Sequence, residues 1–158
     1  MKRSTVSAFV LVAAIFAFPT DGQAPANFDA EVELLRIDLR GERSNVVLKN
    51  MSLSGTEPNA FWPLYEEYQG EAQKIWDERI ELIKDYASVY PDVSEAQADN
   101  MITKSFDLDQ KMDKLRKTYY GKFKAALSAK TAARFMQIDR RINNVMELQI
   151  ANSIPLAK

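Results

Sequence analysis

The chain contains no cysteine and no histidine among its 158 residues, and only five glycines. Without cysteine there are no disulfides, thiolate nucleophiles, iron–sulfur clusters or haem attachment sites. Without histidine, a Ser-His-Asp triad, an HExxH zinc site and the Glu-x-x-His pair of a di-iron bundle are excluded. No glycine-rich loop occurs, which removes the P-loop and the dinucleotide-binding fingerprint. A strong surplus of one charge is lacking too: 21 basic and 22 acidic residues give a net charge of -1, whereas nucleic-acid binders carry a basic excess. What remains for chemistry is carboxylates, Lys, Tyr and Ser. Glu66-Glu67, Asp77-Glu78 and Asp107/Asp109 lie on charged helical stretches that read as solvated faces, and no EF-hand spacing is present. The expectation is a protein that is not an enzyme, with no cofactor and no metal, and that does not bind nucleic acid.

One long apolar run is present. Lys2 and Arg3 precede Val6–Phe18, interrupted only by Ser7. This run matches the core of a secretory signal and is shorter than the ~20 apolar residues that span a bilayer. Pro19 to Gly22 break it, and Ala24-Pro25-Ala26 supplies small residues for cleavage before Asn27. Residues 1–26 are therefore expected to be a signal peptide, with an uncleaved membrane anchor as the alternative because Pro25 lies in the cleavage site, and 27–158 an exported, periplasmic helical domain with no further span.

The remainder reads as helices. Val32, Leu35, Leu39, Val46 and Met51 mark an amphipathic stretch from Phe28 to Met51, with Gly41 as a point of weakness. Thr56 is placed to cap a second helix entering through Glu57 and Pro58, with Pro63 expected to bend its first turns or delay the regular helix. Phe61, Tyr65, Tyr68, Ala72, Ile75, Arg79, Leu82, Tyr86 and Val89 alternate steps of four and three, a coiled-coil-like seam that neighbouring Leu64, Trp76, Ile80 and Ile83 widen. Tyr90-Pro91-Asp92 ends that helix, and Ser94 with Gln97 forms a capping-box pattern for the next. The third helix carries Met101, Leu108, Met112, Leu115 and Tyr119, with Ile102, Phe106 and Phe123 beside them. Ser128 caps a fourth helix with the stripe Ala132, Phe135, Ile138, Ile142, Val145, Leu148 and Ile150, closed by Pro155. No segment shows the strand period of two. The predicted fold is all-α, built from long antiparallel hairpins.

Charge is unevenly placed. Glu57 to Asp99 holds eleven acids against three bases, and Lys111 to Arg141 ten bases against two acids. Either an acidic helix folds back on a basic one, or the basic segment faces outward toward anionic partners. The second alternative makes Arg116, Lys117, Tyr120, Lys122, Phe123, Lys124, Lys130 and Arg134 the candidate protein-binding residues. Trp62 and Trp76 are candidates for a subunit interface, because so few helices cannot wrap both faces of a hairpin about 50 Å long.

Two helix starts carry a recurring pattern: Leu53-Ser54-Gly55-Thr56-Glu57 before Phe61-Trp62, and Leu127-Ser128-Ala129-Lys130-Thr131 before Phe135. They resemble the paired LTxxQ elements of the Spy/CpxP-like family of periplasmic stress proteins. Ser replaces the motif Thr at 54 and 128, and Glu57 or Thr131 replaces the final Gln. The resemblance implies a small all-helical protein that dimerises as a curved cradle. Its implied role is an ATP-independent chaperone for envelope proteins, or a modulator of one periplasmic sensor or envelope complex. On physical grounds alone, Leu53 and Leu127 are staples, and Ser54 and Ser128 caps, of sharp helix corners.

Overall fold

A computed structural model describes residues 43–157, all of whose regular secondary structure is helical. The expected signal segment, the cleavage site and the 28–42 part of the first amphipathic stretch lie outside the described residues. Four elements follow one another: α1 (described over residues 43–50), α2 (Glu57–Val89), α3 (Glu95–Ala126) and α4 (Ala129–Ser153).

The boundaries follow from local chemistry. Ser94 accepts from the Gln97 N–H while the Gln97 side chain accepts from the Ser94 N–H, the reciprocal capping box expected from the sequence. Ser128 caps α4 by accepting from the Thr131 N–H at 3.0 Å. At α2 the expectation changes: Thr56 makes no side-chain cap, and Glu57 instead reaches back to accept the Ser54 N–H at 3.0 Å. The α1–α2 turn places Gly55 at φ +56°, a left-handed position that costs a side-chain-bearing residue strain. Pro63 neither ends nor delays α2. It lies on an exposed face, where water can take up the carbonyl it leaves unpaired.

Cross-helix pairs define the topology. Glu67 meets Lys122, Glu71 meets Tyr119 and Glu78 meets Lys111, so α3 runs back along α2. Phe123 against Phe135 and Arg116 against Asp139 set α4 antiparallel to α3. α4 therefore runs parallel to α2, from Thr131 beside Glu57 to Pro155, whose carbonyl accepts from the Tyr86 hydroxyl at 3.0 Å. Ser44 touches Tyr65 and Arg134 reaches the Asn50 carbonyl, which sets α1 antiparallel to both.

The main core is aromatic. Phe135 contacts Phe61, Tyr65, Tyr68 and Phe123, with centroids 4.6–5.8 Å apart, near the spacing at which tilted and edge-to-face pairs gain beyond burial alone. Val47, Leu115, Ala132, Ile138 and Met146 are among the residues packed with it, and a second cluster joins Ile80 and Ile83 to Ile150 and Ile154 near the hairpin tip.

Along α2 the buried residues are Phe61, Tyr65, Tyr68, Ala72, Trp76, Ile80 and Ile83. Beyond Ala72 the seam has slipped by one residue from the expected Ile75, Arg79 and Leu82. The 3.5-residue repeat drifts about 20° per heptad from an ideal helix, and an added step of four corrects the drift. α3 makes the same correction at Leu115–Tyr119–Phe123. Trp76 is thus buried within its own chain and is no interface residue, and Trp62 packs beside Phe61 and Tyr65.

The α4 stripe also differs from expectation. Val145 and Leu148 are exposed, and Asp139, Asn143 and Met146 occupy the interior beside Ala132, Phe135 and Ile138. The reason lies on the neighbouring helices, which bring charged partners to Asp139.

Candidate functional site

The basic segment divides into residues committed to the fold and residues left outside it. Phe123 is fully buried, so its candidacy as a binding residue is corrected: its ring fills the core between Phe61 and Phe135. Arg116 turns inward, its Nε 3.4 Å from Asp139, and also pairs with Asp113. Lys122 bonds Glu67 at 3.2 Å and lies over the Tyr119 ring. Arg134 donates to the Asn50 carbonyl at 2.7 Å. Lys117, Tyr120, Lys124 and Lys130 face outward. The basic segment thus pairs with acidic neighbours at some residues and leaves others exposed. The exposed bridges Lys111–Glu78 and Lys122–Glu67 are each worth only about 0–1 kcal/mol. They select the register of α2 against α3, while the apolar seam supplies the stability.

The two motif corners lie together. Leu53 and Leu127 are half-buried against the main core. Thr131, capped by Ser128, donates its hydroxyl to the Glu57 carboxylate at 3.0 Å, and the other oxygen of Glu57 takes the Ser54 N–H. The Ser54 backbone donor first, and then Thr131, hold the Glu57 carboxyl below its ordinary value of 4.5. A depressed carboxylate stabilises the fold above its unfolded value and loses that contribution as pH falls through the folded one. Glu57→Gln is therefore expected to lower thermal stability at pH 7, with the difference from the parent shrinking below about pH 4.5. Melting curves followed by circular dichroism across that range check this.

A buried polar cluster joins all four helices. Asp139 receives Arg43 on one oxygen at 2.5 Å. Its other oxygen receives Tyr68 at 2.8 Å, Asn143 at 2.9 Å and Arg116 at 3.4 Å. Arg43 also donates to the Asn143 carbonyl oxygen at 3.1 Å. Asp139 is 1% exposed and Arg43 7%, so the two charges depend on each other. Burial first, then the adjacent carboxylate, pushes the Tyr68 hydroxyl far above its usual range. Each group here is spent on another member of the cluster, and the only unpaired atom in it is the Arg43 Nε. The sequence pointed to Arg116 alone of this set, because an apolar-periodicity count passes over Asp139 and Asn143.

A trough runs along the α2–α3 seam. One depression of about 830 Å³ is lined by Leu82, Leu108, Glu78, Lys104, Asp107 and Lys111, among others. A second, of about 560 Å³, shares Glu78, Leu82 and Lys104 with it and continues along α2 to Asp85. No member of the buried cluster lines either one. Its floor is aliphatic and its rims alternate in charge, which suits contact with a peptide more than bond-making. Among the described residues there is no acidic cluster able to hold a metal ion and no helix long and apolar enough to cross a membrane. No family model, curated protein or solved structure matches this chain.

Proposed function

We propose that this chain is an exported, non-enzymatic helical protein that binds segments of other proteins, acting as a chaperone-like or envelope-stress protein. The observation that carries the reading is the trough between α2 and α3. Half-buried Leu82 offers apolar contact there, with the buried Leu108 beneath, and Lys104, Lys111, Glu78 and Asp107 offer polar partners for a bound segment. The resemblance of the two motif corners to the Spy/CpxP-like family supports the same assignment, including export through residues 1–26 and action as a homodimer. Among the described residues, Met51, Met112 and Met146 are buried and Met136 packs against the core, which leaves Met101 as the half-buried methionine outside it.

The test is light scattering of several unrelated unfolding proteins. The protein at stoichiometric amounts is expected to suppress their aggregation, and Leu82→Lys, which places a charge on the trough floor, to abolish the effect. Unchanged aggregation of every client would refute the chaperone reading. The alternating charge of the rim favours a second reading, a modulator or accessory subunit with one periplasmic partner. Capture of a single stoichiometric protein by the parent but not by Leu82→Lys would select it.

A further inference from the structure

The outward faces of α3 and α4 form a surface that shares Lys117 with the trough and otherwise lies apart from it. Lys117 and Lys124 on α3 and Lys130, Arg140 and Arg141 on α4 are exposed, and none makes an ion pair with a described residue. On α3, Lys117 and Lys124 project opposite the buried Leu108, Leu115 and Tyr119; on α4, Lys130 and Arg141 project opposite Phe135 and Asp139. The two helices are antiparallel neighbours, and the Arg116–Asp139 bridge puts Lys117 level with Arg140. Between Lys111 and Arg141 the only acids are Asp113, taken by Arg116, and Asp139, which is buried. Among the described residues, then, no acid of this segment is left to pair with these cations.

Toward the tip the same face becomes apolar. Ile102 and Phe106, one turn apart on α3, are 51% and 58% exposed. Val145 and Leu148 on α4 are 54% and 62% exposed. Leu148 follows Arg141 by seven residues and so continues its line along the helix. A surface basic at one end and apolar at the other, spread over two rods, matches the layering of a bilayer, with phosphates at the headgroup level and hydrocarbon beneath.

We infer that the α3–α4 face docks on an anionic phospholipid surface, its cations against headgroup phosphates and its apolar end at the acyl boundary. A folded acidic partner is the less suited occupant. The cations are mainly lysines, point charges on flexible stems, and no hydrogen bond fixes them in the geometry that a structured partner reads. This inference does not depend on the protein-binding reading.

The experiment is co-sedimentation of the full chain with vesicles of phosphatidylcholine alone and with about one third phosphatidylglycerol. The phosphatidylcholine arm measures what the apolar run Val6–Phe18 contributes by itself. Binding to the anionic vesicles is expected to be at least tenfold tighter and to fall with added salt. At roughly fivefold per basic residue near such a surface, the variant K124Q/K130Q/R141Q is expected to lose about a hundredfold. Its residues line no part of the trough, so suppression of aggregation serves as the independent readout of the other site. Should circular dichroism show that variant misfolded, K124Q and K130Q singly, each about fivefold weaker, carry the test. Equal binding to both vesicles, or full binding by the variants, overturns the inference. So does tight binding of soluble polyglutamate with no preference for the anionic vesicles, which would assign the face to acidic protein.

Discussion

Asp139→Asn is expected to lower the unfolding free energy by about 3–5 kcal/mol, because it leaves the Arg43 guanidinium buried without its counter-charge. The substitution keeps the volume and one acceptor, so the loss reports charge rather than packing. Urea unfolding followed by helical circular dichroism measures it. A loss below about 1 kcal/mol would mean that water reaches Arg43 and that α1 is not held against α4. The double variant Arg43→Met/Asp139→Leu separates the cost of breaking this pair from the worth of having it. Apolar replacements remove both desolvation penalties, and roughly half or more of the loss is expected to return. Residual destabilisation would come from Tyr68 and Asn143, both of which lose the oxygen to which they donate. The pair therefore acts mainly in specifying where α1 sits, since an apolar α1 could slide along the bundle at little cost.

Phe135→Ala is expected to be comparably severe, at about 3–5 kcal/mol, with a fall in melting temperature of roughly 10–20 °C. Its ring is fully buried and meets aromatic side chains from α2 and α3. Deleting it opens a cavity that rigid neighbours cannot close. Phe106→Ala provides the contrast. That ring is as large but exposed, and its loss is expected to stay within about 0.5 kcal/mol. Thermal unfolding of both variants under one condition decides the matter, and equal effects would remove the distinction between the buried seam and the outward face of α3.

Helix ends were the most legible part of the sequence, because their determinants sit within four residues of one another. Ser94 with Gln97, Ser128 with Thr131 and Pro155 beyond α4 needed no knowledge of the rest of the chain. Phe61 to Ala72 was legible for a similar reason, since bulky apolar residues recur at the helical period. Beyond Ala72 the same count went one residue astray, because it assumed a single repeat where the helix changes step at Trp76. On α4 the failure was of another kind. Val145 and Leu148 are as apolar as the residues that are buried, and nothing local tells that Asp139 and Asn143 take the interior in their place. That choice is made by Arg43, Tyr68 and Arg116, each on a different helix. The basic segment was legible as a charge block, but which of its members face outward depends on where Glu67 and Asp139 lie across the bundle.

Arg43 and Asp139 are 96 residues apart in the chain. The α2–α3 hairpin closes over a short loop and can form early, whereas this pairing must wait until almost the whole polypeptide is present. In a nascent chain, whose N-terminal parts emerge first, the earliest of the described helices is thus the last to find its berth. A charged guanidinium at its inner face, in place of one more leucine, keeps that waiting segment in water and discourages it from sticking to its neighbours before the final helix arrives.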